Sequence, residues 1–150
     1  MVNYRPYLDF FLREVSKFYN LILYTASYRE YAEKILNKID PKSEYIQNVL
    51  ARENCTKYNN NFIKDFRLIA NQNFVKEDMI LLDNKMISFA YDLYQGVPIL
   101  PYYNDPLDTE LRDIAPFLIS LSSKKVSLKD VLRERYNYNR FSNITFSNSQ

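Results

Sequence analysis

The sequence predicts an α/β fold with a mainly parallel sheet, on three observations. Short apolar runs at Leu21–Tyr24 and Met79–Leu82 have the length and β-forming character of strands buried on both faces of such a sheet. Each run stops abruptly on small or polar residues, Thr25-Ala26-Ser27 after the first and Asp83-Asn84 after the second. Around them apolar residues recur at helical spacing, so strand, turn and helix alternate along the chain.

Composition narrows the chemistry. One domain suits 150 residues, and a formal net charge of +2 with scattered basic residues argues against a nucleic-acid partner. The lone Cys55 excludes an internal disulfide and fits a reducing, intracellular compartment. There is no His, which removes Ser-His-Asp and Cys-His catalysis and any zinc site that needs imidazole. Acid–base work must fall to carboxylates, Lys or Tyr. The single Gly excludes glycine-rich phosphate loops. No apolar run is long enough for direct membrane insertion, and Met1 is not followed by a signal-peptide pattern.

In chain order, Arg5-Pro6 opens a helix, with Pro6 in its first turn and Leu8, Phe11, Leu12, Val15 and Phe18 on one apolar face. The Leu21 strand follows. Ser27-Tyr-Arg-Glu30 has the spacing of a capping box for a helix that carries Ala32, Ile35, Leu36 and Ile39 and ends near Asp40-Pro41. The junction at Thr25–Ser27 fits two readings: a plain capped turn, or an anion site at a helix N-terminus on the ligand-binding end of the sheet. Val49–Arg52 and Asn61–Lys64 read as the arms of a β-hairpin around Lys57–Asn61, which brings Arg52 and Lys64 close; solvated charges at strand ends are the plain alternative. Phe66–Ala70 is a short helical segment and Asn71–Asp78 a loop. Asp83, ending its strand, fits a metal ligand and a helix N-cap equally. Val97–Leu100 is a third strand, on an edge because of Pro98. Asn104-Asp105-Pro106 starts a helix that Pro116 kinks or breaks, and Ser127 begins a last one. Residues 1–136 form the domain and 137–150 an Asn/Ser-rich mobile tail.

Six motifs stand in order: Arg5-Pro6, Leu23-Tyr-Thr-Ala-Ser27, Arg52-Glu-Asn-Cys55, Ile63-Lys64-Asp65, Leu82-Asp83-Asn84, and Asp108-Thr-Glu-Leu111 with Pro116-Phe117-Leu118. Together they resemble the Fcp/Scp-like phosphatases, the branch of the haloacid dehalogenase superfamily that includes the C-terminal-domain phosphatases of RNA polymerase II and Dullard. The resemblance implies a three-layer haloacid dehalogenase-like Rossmannoid fold. It also implies Mg²⁺-dependent hydrolysis of phosphoserine or phosphothreonine in a phosphorylated protein substrate, through an aspartyl-phosphate. By motif position, Thr25 and Ala26 would bind a phosphate oxygen, Lys64 would screen the nucleophile and the transferring group, and Asp83 would bind Mg²⁺. Asn84 would orient the phosphate or the attacking water, and Arg52 would contact the phosphate or its peptide. Cys55 matches a family position and reads as a small buried hydrophobe.

Two departures qualify this. No Asp-x-Asp occurs in the sequence, so the family's nucleophile and general acid have no counterpart, and the strand that carries them, the first of the fold, is missing. Lys85 stands where the phosphatases usually carry Ser. The expectation is therefore a truncated phosphatase domain, inactive alone and weak for Mg²⁺. A non-catalytic interaction module on the same fold, like the mitochondrial translocase receptor, is the alternative. Nucleus or cytoplasm is favoured over mitochondrion, because Thr25-Ala-Ser27 and Asp83-Asn84 look more like the phosphatases.

Overall fold

The computed structural model describes residues 3–70, 74–123 and 125–137. Helix α1 (Leu8–Val15) leads into strand β1 (Leu21–Tyr24), which is followed by α2 (Arg29–Ile39) and β2 (Ile46–Leu50). A hairpin of β3 (Thr56–Tyr58) and β4 (Asn61–Ile63) precedes β5 (Leu81–Asp83) and β6 (Gly96–Pro98), and α3 (Glu110–Ser122) and α4 (Leu128–Tyr136) close the order.

The parallel strands come as two separate pairs. β1 runs parallel to β2 with Leu23 opposite Val49 and Tyr24 opposite Leu50, and β5 runs parallel to β6 with Leu82 opposite Val97. Among the described residues no ladder joins the two pairs, so β1 and β5 each keep one unpaired edge. This accounts for a departure from expectation: only Tyr24 of β1 is fully buried, while Leu21 to Leu23 are half-buried. A strand with one neighbour lacks the side chains that would flank it on the other side.

Two apolar clusters hold the layers. Val97, Leu118, Leu121 and Leu132 are buried together, with Phe11 of α1 and Leu82 of β5 packed against them. The Tyr19 hydroxyl donates to the Leu118 carbonyl at 2.6 Å and ties the end of the α1 region to α3. The second cluster is Phe66, Leu81 and Phe89. Phe89 belongs to the 3₁₀ segment Met86–Gln95, broken at Phe89 and Asp92, which no periodicity in the sequence marked.

Several predicted elements shift for identifiable reasons. Tyr7 adopts a left-handed conformation (φ 64°), so α1 starts at Leu8 with Pro6 outside it, and Phe18 lies beyond its end and half exposed. The capping box does not form: Tyr28 is the N-cap of α2, and the Ser27 N–H donates to the Thr25 hydroxyl instead. Val49 and Leu50 belong to the parallel strand β2, because the 3₁₀ turn Arg52–Asn54 separates them from the hairpin, whose first arm is Thr56–Tyr58. β5 and β6 each start or end a residue or two from the predicted bounds, and Pro98 does lie on a strand with a single neighbour. The helix predicted at Pro106 starts only at Glu110, because Asp105 accepts the Leu107 N–H and Asp108 accepts that of Glu110. α3 runs through Pro116 without a break. Pro116 is exposed, so the Arg112 carbonyl that loses its partner faces water. Of the predicted loop Asn71–Asp78, Lys76–Asp78 forms a 3₁₀ turn, while residues 71–73 and the tail from 138 lie outside the described residues.

Two side chains make testable demands. Gly96 packs against the buried Phe89 ring so closely that a Cβ would overlap it. Gly96→Ala is therefore expected to cost about 1–3 kcal/mol by overpacking, read as a lower urea midpoint. Asp40 is buried, and its carboxylate accepts the N–H groups of Glu44, Tyr45 and Ile46 at 2.8–2.9 Å, setting the entry into β2. Burial raises its pKa, but the three N–H donors outweigh burial and hold it below the usual carboxylate range. Its contribution is thus full above the unfolded value of about 3.9, and it is lost as pH falls through the lower folded value. Asp40→Ala should destabilise the chain at pH 7 by roughly 2–4 kcal/mol, with the difference from the parent shrinking in acid-unfolding curves.

Candidate functional site

The turn after β1 is built from its own backbone. The Thr25 N–H extends the ladder to the Leu50 carbonyl at 2.8 Å, and the Thr25 hydroxyl oxygen accepts the Ser27 N–H at 3.1 Å. Arg52 locks the turn from outside: its N–H donates to the Ser27 carbonyl at 2.9 Å and its Nε to the Ala26 carbonyl at 2.6 Å. The guanidinium lies over the Tyr28 ring at 4.1 Å and the Phe62 ring at 5.1 Å, a cation held between aromatic faces. Cys55 sits beneath, with its Sγ 3.7 Å from the Thr25 carbonyl, and burial pushes its thiol pKa up. It is half-buried rather than the fully buried residue expected.

The second group of predicted residues gathers at the end of β5. The Lys64 ammonium pairs with Asp83 Oδ2, and both side chains are about nine-tenths buried. Asp83 Oδ1 accepts the Lys85 N–H at 2.7 Å. Lys64 is presented by its own N–H, which donates to the Ser88 carbonyl at 2.7 Å, and by the neighbouring Asp65, whose carboxylate caps the turn at Phe66 and is held below its usual pKa range by Arg67. Asn84 is exposed at the mouth of a cleft of about 360 Å³, which Asp83, Arg5, Ile99 and Tyr102 also line.

Tyr24 connects the two groups, and sequence reasoning passed it over. Its hydroxyl donates to the Asn54 carbonyl at 2.5 Å and accepts the Asp65 N–H at 3.1 Å, and the Lys64 ammonium lies 5.9 Å from its ring. Burial raises its pKa to about 12, so it stays a neutral donor. Its signal was its place as the last residue of a predicted strand, directly before Thr25. Arg5 was also missed as a contact. It makes a bidentate pair with Asp108 at 2.7–2.8 Å and donates to the Leu100 carbonyl at 2.7 Å, so the first and last motifs of the ordered set meet.

The donor set does not by itself fit a magnesium ion. Asp83 is a single carboxylate whose two oxygens are already engaged, and the described residues hold no cluster of three acidic or sulfur ligands. Mg²⁺ asks for near-octahedral oxygen coordination.

Residues 1–132 match the family of NLI interacting factor-like phosphatases. The chain belongs to that family. The match places it in the Fcp/Scp-like branch of the haloacid dehalogenase superfamily. Among its relatives, "CTD small phosphatase-like protein 3" of Caenorhabditis elegans is 33% identical over 90% of this chain and 46% of its own length. "CTD nuclear envelope phosphatase 1B" of Danio rerio is 30% identical over 80% of this chain and 48% of its own. The chain thus spans less than half the length of these relatives. The solved structure of Fcp1, an essential RNA polymerase II CTD phosphatase, superposes with a TM-score of 0.58 at 18% identity, covering 94% of this chain and 48% of that one. That likeness establishes the α/β Rossmann-like fold. No helix described for this family member is long and apolar enough to cross a membrane.

Removing one partner of the Lys64–Asp83 pair leaves a buried charge alone. Lys64→Met is expected to cost about 3–5 kcal/mol in urea unfolding, and Lys64→Met combined with Asp83→Leu to recover most of it. A Lys64→Met variant as stable as the parent would show that the pair is solvated rather than buried.

Proposed function

We propose that this chain carries the phosphate-holding part of a protein serine/threonine phosphatase domain of the aspartyl-phosphate kind, and that turnover requires a strand bearing Asp-x-Asp between β1 and β5. The open seam supports this reading most directly: among the described residues β1 pairs only with β2 and β5 only with β6, while Thr25 closes one pair and Asp83 the other. Buried backbone groups left without partners cost roughly 1–3 kcal/mol each, and an added strand supplies those partners by augmentation.

In this reading the Thr25 hydroxyl, whose oxygen already accepts from Ser27, gives its proton to a phosphate oxygen. The Thr25 N–H is engaged by Leu50, so the backbone donor of the turn is that of Ala26. Lys64 screens the transferring group, Asn84 orients it, and Arg52 offers the guanidinium edge not used on Ala26 to the phosphate or its peptide. Phosphoryl transfer depends above all on such positioning and charge stabilisation. The carboxylates of the supplied strand would add to Asp83 the oxygen ligands that Mg²⁺ lacks here. A phosphorylated protein is the substrate class, and the nucleus or cytoplasm the compartment; relatives described as nuclear envelope phosphatases support the latter.

The test compares the 150-residue chain with N-terminal extensions carrying either an Asp-x-Asp or an Asn-x-Asn strand. The expected result is no hydrolysis of an aryl phosphate by the chain alone and Mg²⁺-dependent hydrolysis with Asp-x-Asp. Asn-x-Asn should raise the melting temperature without turnover. Turnover by the unextended chain that disappears with Lys64→Ala would overturn the strand requirement. A raised melting temperature without turnover in the Asp-x-Asp version would favour a non-catalytic interaction module.

A further inference from the structure

We infer that the cleft beside Asp83 is a subsite for a bulky apolar side chain of the substrate peptide, adjacent to the position of its phosphate; this rests on the phosphatase reading above. The cleft, about 360 Å³, is lined both by Asp83 and Asn84 and by the apolar Leu82, Ile99, Pro101 and Leu111. It is thus continuous with the charged group proposed to hold phosphate. Its volume suits one or two side chains rather than a folded partner.

The rim is unusual. Leu100 is 65% exposed, and Tyr103 and Leu107 are each 83% exposed, all within one segment leading from β6 to α3. Isolated exposed apolar residues are ordinary, but three large ones in one short segment, of which Leu100 lines the cleft, mark a contact surface. The segment is also held in place. Arg5 fixes the Leu100 carbonyl, Asp105 accepts the Leu107 N–H at 2.9 Å, and Pro98, Pro101 and Pro106 restrict the backbone. A surface ordered before binding loses little entropy when it is covered. The Glu110 carboxylate stands at the same rim, 3.5 Å from the Leu100 nitrogen. Its charge disfavours an acidic flank there and leaves the peptide's negative charge to the phosphate alone. The occupant that fits is an extended phosphoserine or phosphothreonine peptide with Leu, Phe or a similar residue beside the phosphorylated one.

Binding of fluorescent peptides to the full chain tests this. The probes are phosphoserine itself, a phosphoserine peptide flanked by Leu, the same peptide flanked by Ala, and the unphosphorylated Leu peptide. The Leu phosphopeptide is expected to bind about tenfold tighter than the Ala one, equivalent to 1.4 kcal/mol. Leu100→Ser and Tyr102→Ser, checked for folding by melting, should each bring that ratio toward one. If phosphoserine titrates but the Leu preference is absent or survives both variants, the cleft assignment falls and the phosphate reading stands. If the Leu peptides bind in a Leu100-dependent way but phosphate makes no difference, the phosphate reading falls and the cleft stands as an apolar peptide site. Binding by none of the probes overturns both. Concentration-dependent self-association abolished by Leu100→Ser would assign the rim to a second copy of the chain and overturn the inference.

Discussion

The buried ion pair between Lys64 and Asp83 is the interaction on which the site depends. It joins the end of hairpin arm β4 to the end of β5, two parts of the chain that no strand ladder connects among the described residues. A buried pair is a costly way to join them, since desolvating two charges offsets much of their attraction. It persists because each partner is also fixed through backbone: Asp83 by the Lys85 N–H, Lys64 by its own N–H on Ser88. The same arrangement concentrates a cation and an anion at the end of β5, and Tyr24, the residue before Thr25, reaches the neighbouring Asp65 through its hydroxyl. A group that neutralised or displaced Asp83 would free the ammonium for a new anion.

Backbone geometry shows how the fold manages with a single glycine. Left-handed conformations fall on Tyr7, Ser43, Asn59, Asn104 and Asn137. Asn is the residue that tolerates them best after Gly, because its short polar side chain bonds locally. Gly96 is kept for another purpose, close contact with the Phe89 ring.

What was legible in the sequence follows from this. β1, the end of α2 at Asp40, the start of α4 at Ser127 and the second hairpin arm were readable, because each carries a local signal of periodicity, proline or turn chemistry. The Asn59 turn was readable for the same reason, while the left-handed Tyr7 was not. β2 was misplaced because its polar Gln47 and Asn48 interrupt the apolar run, and its identity as a strand comes from pairing with β1. The 3₁₀ segment Met86–Gln95 has two breaks and therefore no single period to find. At the site, Lys64 and Asp83 could be named from motif position, but their partnership is a tertiary fact. Tyr24 acts through its hydroxyl at a distance of 30 to 41 residues along the chain, which no local pattern records.

The bidentate contact between Arg5 and Asp108 spans 103 residues and has a consequence for the order in which the molecule can form. Contacts of such separation close a long loop and come late, after the entropy of closure has been met by other interactions. During synthesis, Arg5 and α1 emerge well before Asp108, which holds the Arg5 guanidinium, and before α3, the packing partner of α1. The segment from Arg5 to Val15 is therefore made without its native neighbours, and the mouth of the cleft takes shape only once Asp108 and Leu111 have left the ribosome.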